Sequence, residues 1–460
     1  MEKIALESGS ASVAAFRLFL FLAVVFMNLG PFDVPITAWM GLAGSGMMVI
    51  LALVGVLAGA LANHVITTWC WYPRPISPWV RIGDWKWDDE HRKIAESMPA
   101  RSWMDRIPVL GWFRLRRESR LHGSGFWVRP LLIEIGLAVT LPVMHGYWLG
   151  GQLLPVGVPA GVLGLLGPWM TLLFFVHAFL LIMMVAATFI DFDERTIPDS
   201  LTIPGTIFGL IFATMSPFVF LPGQVPNGIA PVTLEQPLAL APWWMTGSGW
   251  FMGVAIWTVW CFALADRRVI LRRGLGKAVE YFLARLTRHP SWKTLAGIWG
   301  AGLVAITVVF QIGGVHWLGL ASSLMGLAVG GGIVWSIRLV GSWAMQVEAM
   351  GFGDVTLMAM IGSFIGWHAS VAAFFLAPLA AIVIVLIQFV ITRDRATPFG
   401  PYLCAGTVLT LVFWDEVYNA RLRMTVALMG DMLLWLWLAL LGLLGGMLRV
   451  WRSIKQRVFA

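Results

Sequence analysis

PWMTLLFFVHAFLLIMMVAATFIDFDERTIPDSLTIPG, residues 168–205, decides how the chain is read. Residues 168–190 contain no Asp, Glu, Lys or Arg. That run is long enough to cross ~30 Å of hydrocarbon as a helix. It ends on three acids, Asp191, Asp193 and Glu194, then turns through Pro198 and Asp199 into another apolar run. An acid at the end of a membrane helix costs several kcal/mol unless it is paired or hydrated, so each is a candidate for function.

The pattern repeats along the whole chain. Hydrophobic residues make up 59% of the 460 and charged residues only 12%, against about 25% in soluble domains. About twelve apolar segments are expected to span, near 12–29, 46–68, 128–148, 168–190, 201–221, 246–266, 296–314, 319–341, 353–369, 370–391, 398–414 and 424–447. The fold class is therefore all-α, a polytopic membrane helix bundle, because helices satisfy their own backbone groups in lipid. The first apolar run lacks a clear cleavage site and reads as a retained helix.

Net charge is +8, but the Lys and Arg cluster in two polar stretches, 69–127 and 267–294, and in the tail. That distribution follows the positive-inside rule and gives no reason to expect a nucleic-acid partner; membrane lipid is the expected surroundings. Alternating the spans puts both termini in the cytoplasm, with Arg421 and Arg423 as the exception outside. Cys70, Cys261 and Cys404 form no CxxC, so neither a disulfide framework nor a zinc site is expected. His145, His177, His316 and His368 fall in or near apolar segments without metal-ligand spacing.

A second acidic stretch answers the first. In EAMGFGDVTLMAMIGSFIGW, residues 348–367, Gly351 and Gly353 flank Phe352 and Asp354 opens a helix, with Glu348 just upstream. By alternation Asp191 ends a helix going inward and Asp354 begins one going outward, so the two can meet at one depth. Two nearby carboxylates cannot easily both ionise; one keeps its proton, and the pair can activate water and polarise a carbonyl. The glycines are expected to supply backbone angles closed to other residues and room beside Asp354.

These residues resemble the type IV prepilin peptidase family, the GxGD-type membrane aspartic proteases. IDFDERTIPDSLTIP resembles the family's first active-site stretch, IDxxxxxxPDxLTxP, and EAMGFGD resembles its second, EAMGxGD. TPFGPYLCAG (397–406), GVLAGALANHVI (55–66), DRIPVLGW (105–112) and RPLLIE (129–134) are similar to further family segments in the same order. The resemblance implies Asp191 and Asp354 as the catalytic dyad, with Gly351, Gly353, Asp193, Asp199 and Glu348 in support. It implies a prepilin-like or pseudopilin substrate, whose basic leader is cut at the cytoplasmic face of the bacterial inner membrane.

The sequence departs from the family in three places. Bifunctional members carry two CxxC pairs in the cytoplasmic loop; here those positions fall near Ile94 and Ser97, and at Ser119 and His122. No zinc is expected and proteolysis needs no cofactor; S-adenosylmethionine enters only if N-methylation persists. Thr356 stands where the family has Lys, and the two aspartates are 163 positions apart (354 minus 191), more than is usual. The chain is accordingly divided into an extra N-terminal helix and outer loop (1–45), a first family-like helix (46–68), a basic cysteine-free loop (69–127), a peptidase domain (128–414) with an inserted helix pair and loop around 246–314, and a C-terminal helix and tail (415–460). The inserted 275–288 segment could form an amphipathic helix on anionic lipid. An ion-coupled transporter, and a non-catalytic pilus or secretion assembly protein derived from a peptidase, are the other readings.

Overall fold

The computed structural model describes residues 45–155, 160–225, 228–234, 243–264, 292–392, 398–430 and 432–458. The expected first helix at 12–29 and the 275–288 segment lie outside the described residues.

Among the described residues ten apolar helices build the bundle: α1 (Ser45–Thr68), α2 (Val128–Leu149), α3 (Ala160–Glu194), α4 (Asp199–Met215), α5 (Gly247–Leu264), α6 (Trp292–Ile312), α7 (Gly314–Met345), α8 (Phe352–Thr392), α9 (Gly400–Val412) and α10 (Met432–Val458). Among the described residues, eight are long and apolar enough to cross a membrane, and α4 and α9 are shorter. The protein is thus an all-α polytopic membrane protein.

Several helix ends differ from the hydropathy reading, each for a local reason. The segment expected at 201–221 leaves the helix at Ser216, whose φ of −159° is extended; a residue before proline disfavours the helical region, and Pro217 follows. A short antiparallel hairpin, β1 (Pro222–Val225) with β2 (Gly228–Pro231), then pairs Gly223 with Ala230. The last segment, expected at 424–447, is displaced to Met432–Val458, because Gly430 at φ 45° breaks the preceding helix, Arg423–Met429.

The two segments expected at 353–369 and 370–391 form α8, interrupted at Gly366 (φ 75°, ψ 174°). That left-handed conformation suits glycine. A Cβ at Gly362 would lie 3.0 Å from Ser370 Oγ, eight residues on. A straight helix would separate those positions by ~12 Å, so the chain folds back at Gly366 and the two halves lie side by side. α7 packs into this hairpin through mutual glycines: a Cβ at Gly326 would sit 2.1 Å from Gly362 O, and the reverse distance is the same. Small residues of this kind let membrane helices approach backbone to backbone.

The contacts sort the helix ends onto two faces. On one, the Tyr147 hydroxyl donates to Val412 O (2.6 Å) and the Trp414 indole to Pro222 O (2.6 Å), and Phe220 touches Gly366. On the other lie the 69–127 loop, the turn between α3 and α4, and the first residues of α8 and α9. The main core runs through α1, α2, α3, α8 and α9. A second core, built on Trp257, Trp260, Ile306, Trp317 and Leu324, docks α5 and α6 against α7.

Candidate active site

Asp191 lies one turn before the end of α3 and is 3% exposed. Asp354 lies in the first turn of α8 and is 7% exposed. The α3–α4 turn brings them together. Ile197, in that turn, fills the space over Gly353: a Cβ on Gly353 would fall 2.8 Å from Ile197 N. The far side of Ile197 meets Gly400, where a Cβ would lie 2.9 Å from Ile197 Cδ1 and 2.5 Å from Asp191 Oδ2. Asp354 is within electrostatic range of Asp191, and Cys404, one turn into α9, is within range of both.

Each acid has a backbone amide. Gly400 N–H donates to Asp191 Oδ2 at 3.1 Å, and the Gly351 amide faces Asp354. Among the described residues neither acid forms an ion pair. Such a pair, dry and without a cation, is suited to holding one shared proton.

The glycines act by size. Neither Gly351 nor Gly353 adopts a positive φ, so the expectation of special backbone angles is corrected. Gly353 is helical, and a side chain there would strike Ile197. At Gly351 the nearest atom to a Cβ would be Asp354 Oδ2, at 3.6 Å, so one side of the acid is left clear.

The other predicted residues stand around this pair rather than in it. Asp193 takes two arginines, Arg74 Nη2 at 2.5 Å and Arg129 Nη1 at 2.6 Å. Glu194 accepts from the backbone N–H groups of Trp71 (2.8 Å) and Tyr72 (2.9 Å). Together they fasten the end of α3 to the loop and to the start of α2. Burial opposes the charge on Arg74, but Asp193 and Glu194 outweigh it and hold the guanidinium above its usual value. Asp199 opens α4, where an acid suits the helix dipole. Glu348 is largely exposed and pairs with Arg338. Arg338 also donates through Nε to Met350 O (2.8 Å) and stacks on the Phe352 ring. The hydroxyl of Thr356, the departure from Lys, turns back to Gly353 O (3.1 Å).

Glu134, in α2, is buried and receives three hydrogen bonds. It accepts from the Val109 amide, the Trp112 indole and the Asn63 side chain, at 2.5, 2.8 and 3.2 Å, and so receives the loop. Beside Ser119 and at His122, where the family has cysteines, Glu118 is buried with Arg101 (2.6 Å) and His122 (3.5 Å). Among the described residues no three of His, Cys, Asp and Glu are grouped to hold a metal. Elsewhere, His177 Nδ1 accepts from the Trp148 indole (3.2 Å) and His316 Nδ1 donates to Thr214 O (2.9 Å).

Ile197, Gly400, Arg74, Arg129 and Arg338 carried no assigned role in the sequence. Gly400, Ile197 and Arg129 had a signal only in their places within TPFGPYLCAG, IDFDERTIPDSLTIP and RPLLIE; Arg74 and Arg338 are set by contacts across the fold.

Comparison with known proteins points the same way. The type IV leader peptidase family matches residues 178–278 and 290–386, which hold both aspartates. The two matched segments, which make up less than half of the chain, are similar to that family. Similar proteins include three named prepilin leader peptidase/N-methyltransferase. That of Pseudomonas putida is 25% identical over 138 residues, 29% of this chain and 46% of the relative. That of Aeromonas salmonicida is 29% identical over 136 residues, 28% and 43% respectively. That of Xanthomonas campestris pv. campestris is 30% identical over 204 residues, 42% and 64%. The chain thus spans 43% to 64% of the length of these three relatives. No solved structure matches it. Within this chain, Asp191 and Asp354 come from separate matched segments and share one small region around Ile197.

Proposed function

We propose that this chain is a membrane aspartic endopeptidase that removes the basic leader from prepilin-like or pseudopilin proteins. The observation that carries the reading is the convergence of Asp191 and Asp354 about Ile197 and Gly400, with a backbone amide on each acid and no ion pair on either among the described residues. One acid, ionised, takes a proton from water; the other, protonated, donates to the scissile carbonyl oxygen. The water oxygen bonds to the carbonyl carbon, the C–N bond breaks, and the leaving amine takes up a proton. No covalent intermediate and no metal are needed.

The face that holds the acids also carries the arginine-rich loop, Arg195 and the basic end of α10. The positive-inside rule favours the cytoplasm for that face, and so a site on the inner side of the bacterial inner membrane, with both termini inside. The substrate helix would then lie in the bilayer, with its leader at the basic face.

The test is co-expression with candidate prepilins, reading leader removal by mass spectrometry for the wild type, Asp191→Asn and Asp354→Asn. Cleavage by the wild type and by neither variant is expected. Unchanged maturation in either variant would refute the assignment. The same spectra report whether a methyl group is added to the new N-terminus, which would bring in S-adenosylmethionine.

A further inference from the structure

The 69–127 loop joins the ends of α1 and α2 on the face that holds the acids, and one of its parts does not stay outside the bundle. α2 has 22 residues, ~33 Å at 1.5 Å per residue, which barely exceeds ~30 Å of hydrocarbon. Its first turns therefore lie at the edge of the apolar layer. Glu134 is six positions past Val128, ~9 Å further in along the axis. Asn63 lies five positions before the end of α1, at a similar depth.

Glu134 and Asn63 are the receptors for the loop. Asn63 donates to Glu134 and to Pro130 O (2.9 Å), while Glu134 accepts from Val109 N–H and the Trp112 indole. Those two donors bracket the start of a short helix, Leu110–Leu115. Val109 has φ 64°, so the chain turns sharply into it. The helix is drawn down beside α1 and α2 to the level of Glu134.

Its two sides differ. Trp112 (2% exposed) and Leu115 face the protein and pack with Leu131, and Gly111 lies against Asp105 O. Leu110 (62% exposed) and Phe113 (50%) point away from it. Phe113 meets the Trp127 ring (5.6 Å between centroids), and Arg116 lies over the same ring (4.9 Å), at the last residue before α2. Aromatic rings with cationic side chains at a helix end are interfacial chemistry. Arg114, half exposed, pairs with Asp105 at 3.2 Å.

We propose that Leu110–Leu115 is a re-entrant segment of the cytoplasmic loop, its outer side buried in the bilayer at the boundary of headgroups and acyl chains. The occupant of the surface formed by Leu110 and Phe113 is lipid. The carboxylate of Glu134 and the amide of Asn63 hold the segment at that depth by satisfying polar groups that lipid cannot.

The native cysteines are all buried, so single cysteines can be read against them. The full chain is placed in lipid nanodiscs as the wild type, Leu110→Cys, Phe113→Cys and, in the exposed helix Asp89–Glu96, Glu90→Cys. A charged maleimide should label Glu90→Cys rapidly, and Leu110→Cys and Phe113→Cys at least tenfold more slowly. Spin labels at positions 110 and 113 should meet oxygen rather than an aqueous nickel chelate. Both sites are exposed in the protein, so neither change removes core packing, and each checks the other. Labelling at 110 and 113 as fast as at 90 would overturn the proposal. So would rapid labelling in lipid alone that slows only when a leader-bearing peptide is added, since the surface would then belong to a protein partner.

Discussion

Asp191 and Asp193 sit two residues apart on one helix end, yet the protein treats them in opposite ways. Asp193 turns toward the loop and meets Arg74 and Arg129. Two other buried acids on that side behave alike: Asp105 meets Arg114 and Arg117, and Glu118 meets Arg101. Asp191 turns toward α8 and α9, where it meets a glycine amide and a second acid. The loop side uses buried charge to hold the structure together. The side that faces α8 and α9 offers Asp191 no cation among the described residues, which costs stability.

The largest expected effect separates the two acids. Asp191→Asn should lower leader cleavage by about 10²–10⁴-fold while leaving the melting temperature equal or higher. Asp193→Asn should remove the carboxylate that Arg74 and Arg129 share and destabilise the chain by about 3–5 kcal/mol, the cost of removing one partner of a buried pair. Thermal unfolding in detergent, beside a cleavage assay, distinguishes them; a stable but inactive Asp193→Asn would place Asp193 in the chemistry.

Next is Gly400→Ala. The added methyl would fall 2.5 Å from Asp191 Oδ2, so either α9 or the acid must move. A fall in cleavage of about 10²-fold, with little change in unfolding temperature, is expected from a displacement of that size.

A smaller effect concerns acid. Burial raises the Asp105 carboxyl, but hydrogen bonds from Arg117, the Ser102 amide and Arg114 outweigh it and hold it well below the usual carboxylate range. A lowered folded value means that this stability is complete above the ordinary Asp value of about 4 and is lost as pH falls toward the folded value. Burial likewise opposes charge on Glu118, and His122 and Arg101 reverse it. The loop should therefore resist proteolysis unchanged from pH 7 down to about 4 and open only in stronger acid. Opening between pH 5 and 6 would show that these pairs do not hold it.

The smallest expected effect is none. With Glu118, Arg101 and His122 at the core of the loop, chelators should change neither its protease resistance nor leader cleavage. A loss restored by zinc would show that a metal completes the loop.

The sequence alone settled the all-α membrane class, because a run such as 168–190 has no use for its side chains in water. It also marked Asp191 and Asp354 as the acids to watch, since an uncovered carboxylate in an apolar stretch is rare. The paired segments at 353–369 and 370–391 were legible for the same reason, although only the structure placed the reversal at Gly366. What hydropathy could not show is which neighbour each acid would have. Asp193 and Asp191 look equivalent in FIDFDE; they diverge because successive helix positions are rotated by ~100°, so one faces Arg74 and Arg129 and the other faces Gly400. Ile197, Glu134 and the inward dip of Leu110–Leu115 were equally hidden, because each depends on contacts between segments tens to hundreds of residues apart. Local sequence fixes what must leave water; packing decides what each buried charge finds there.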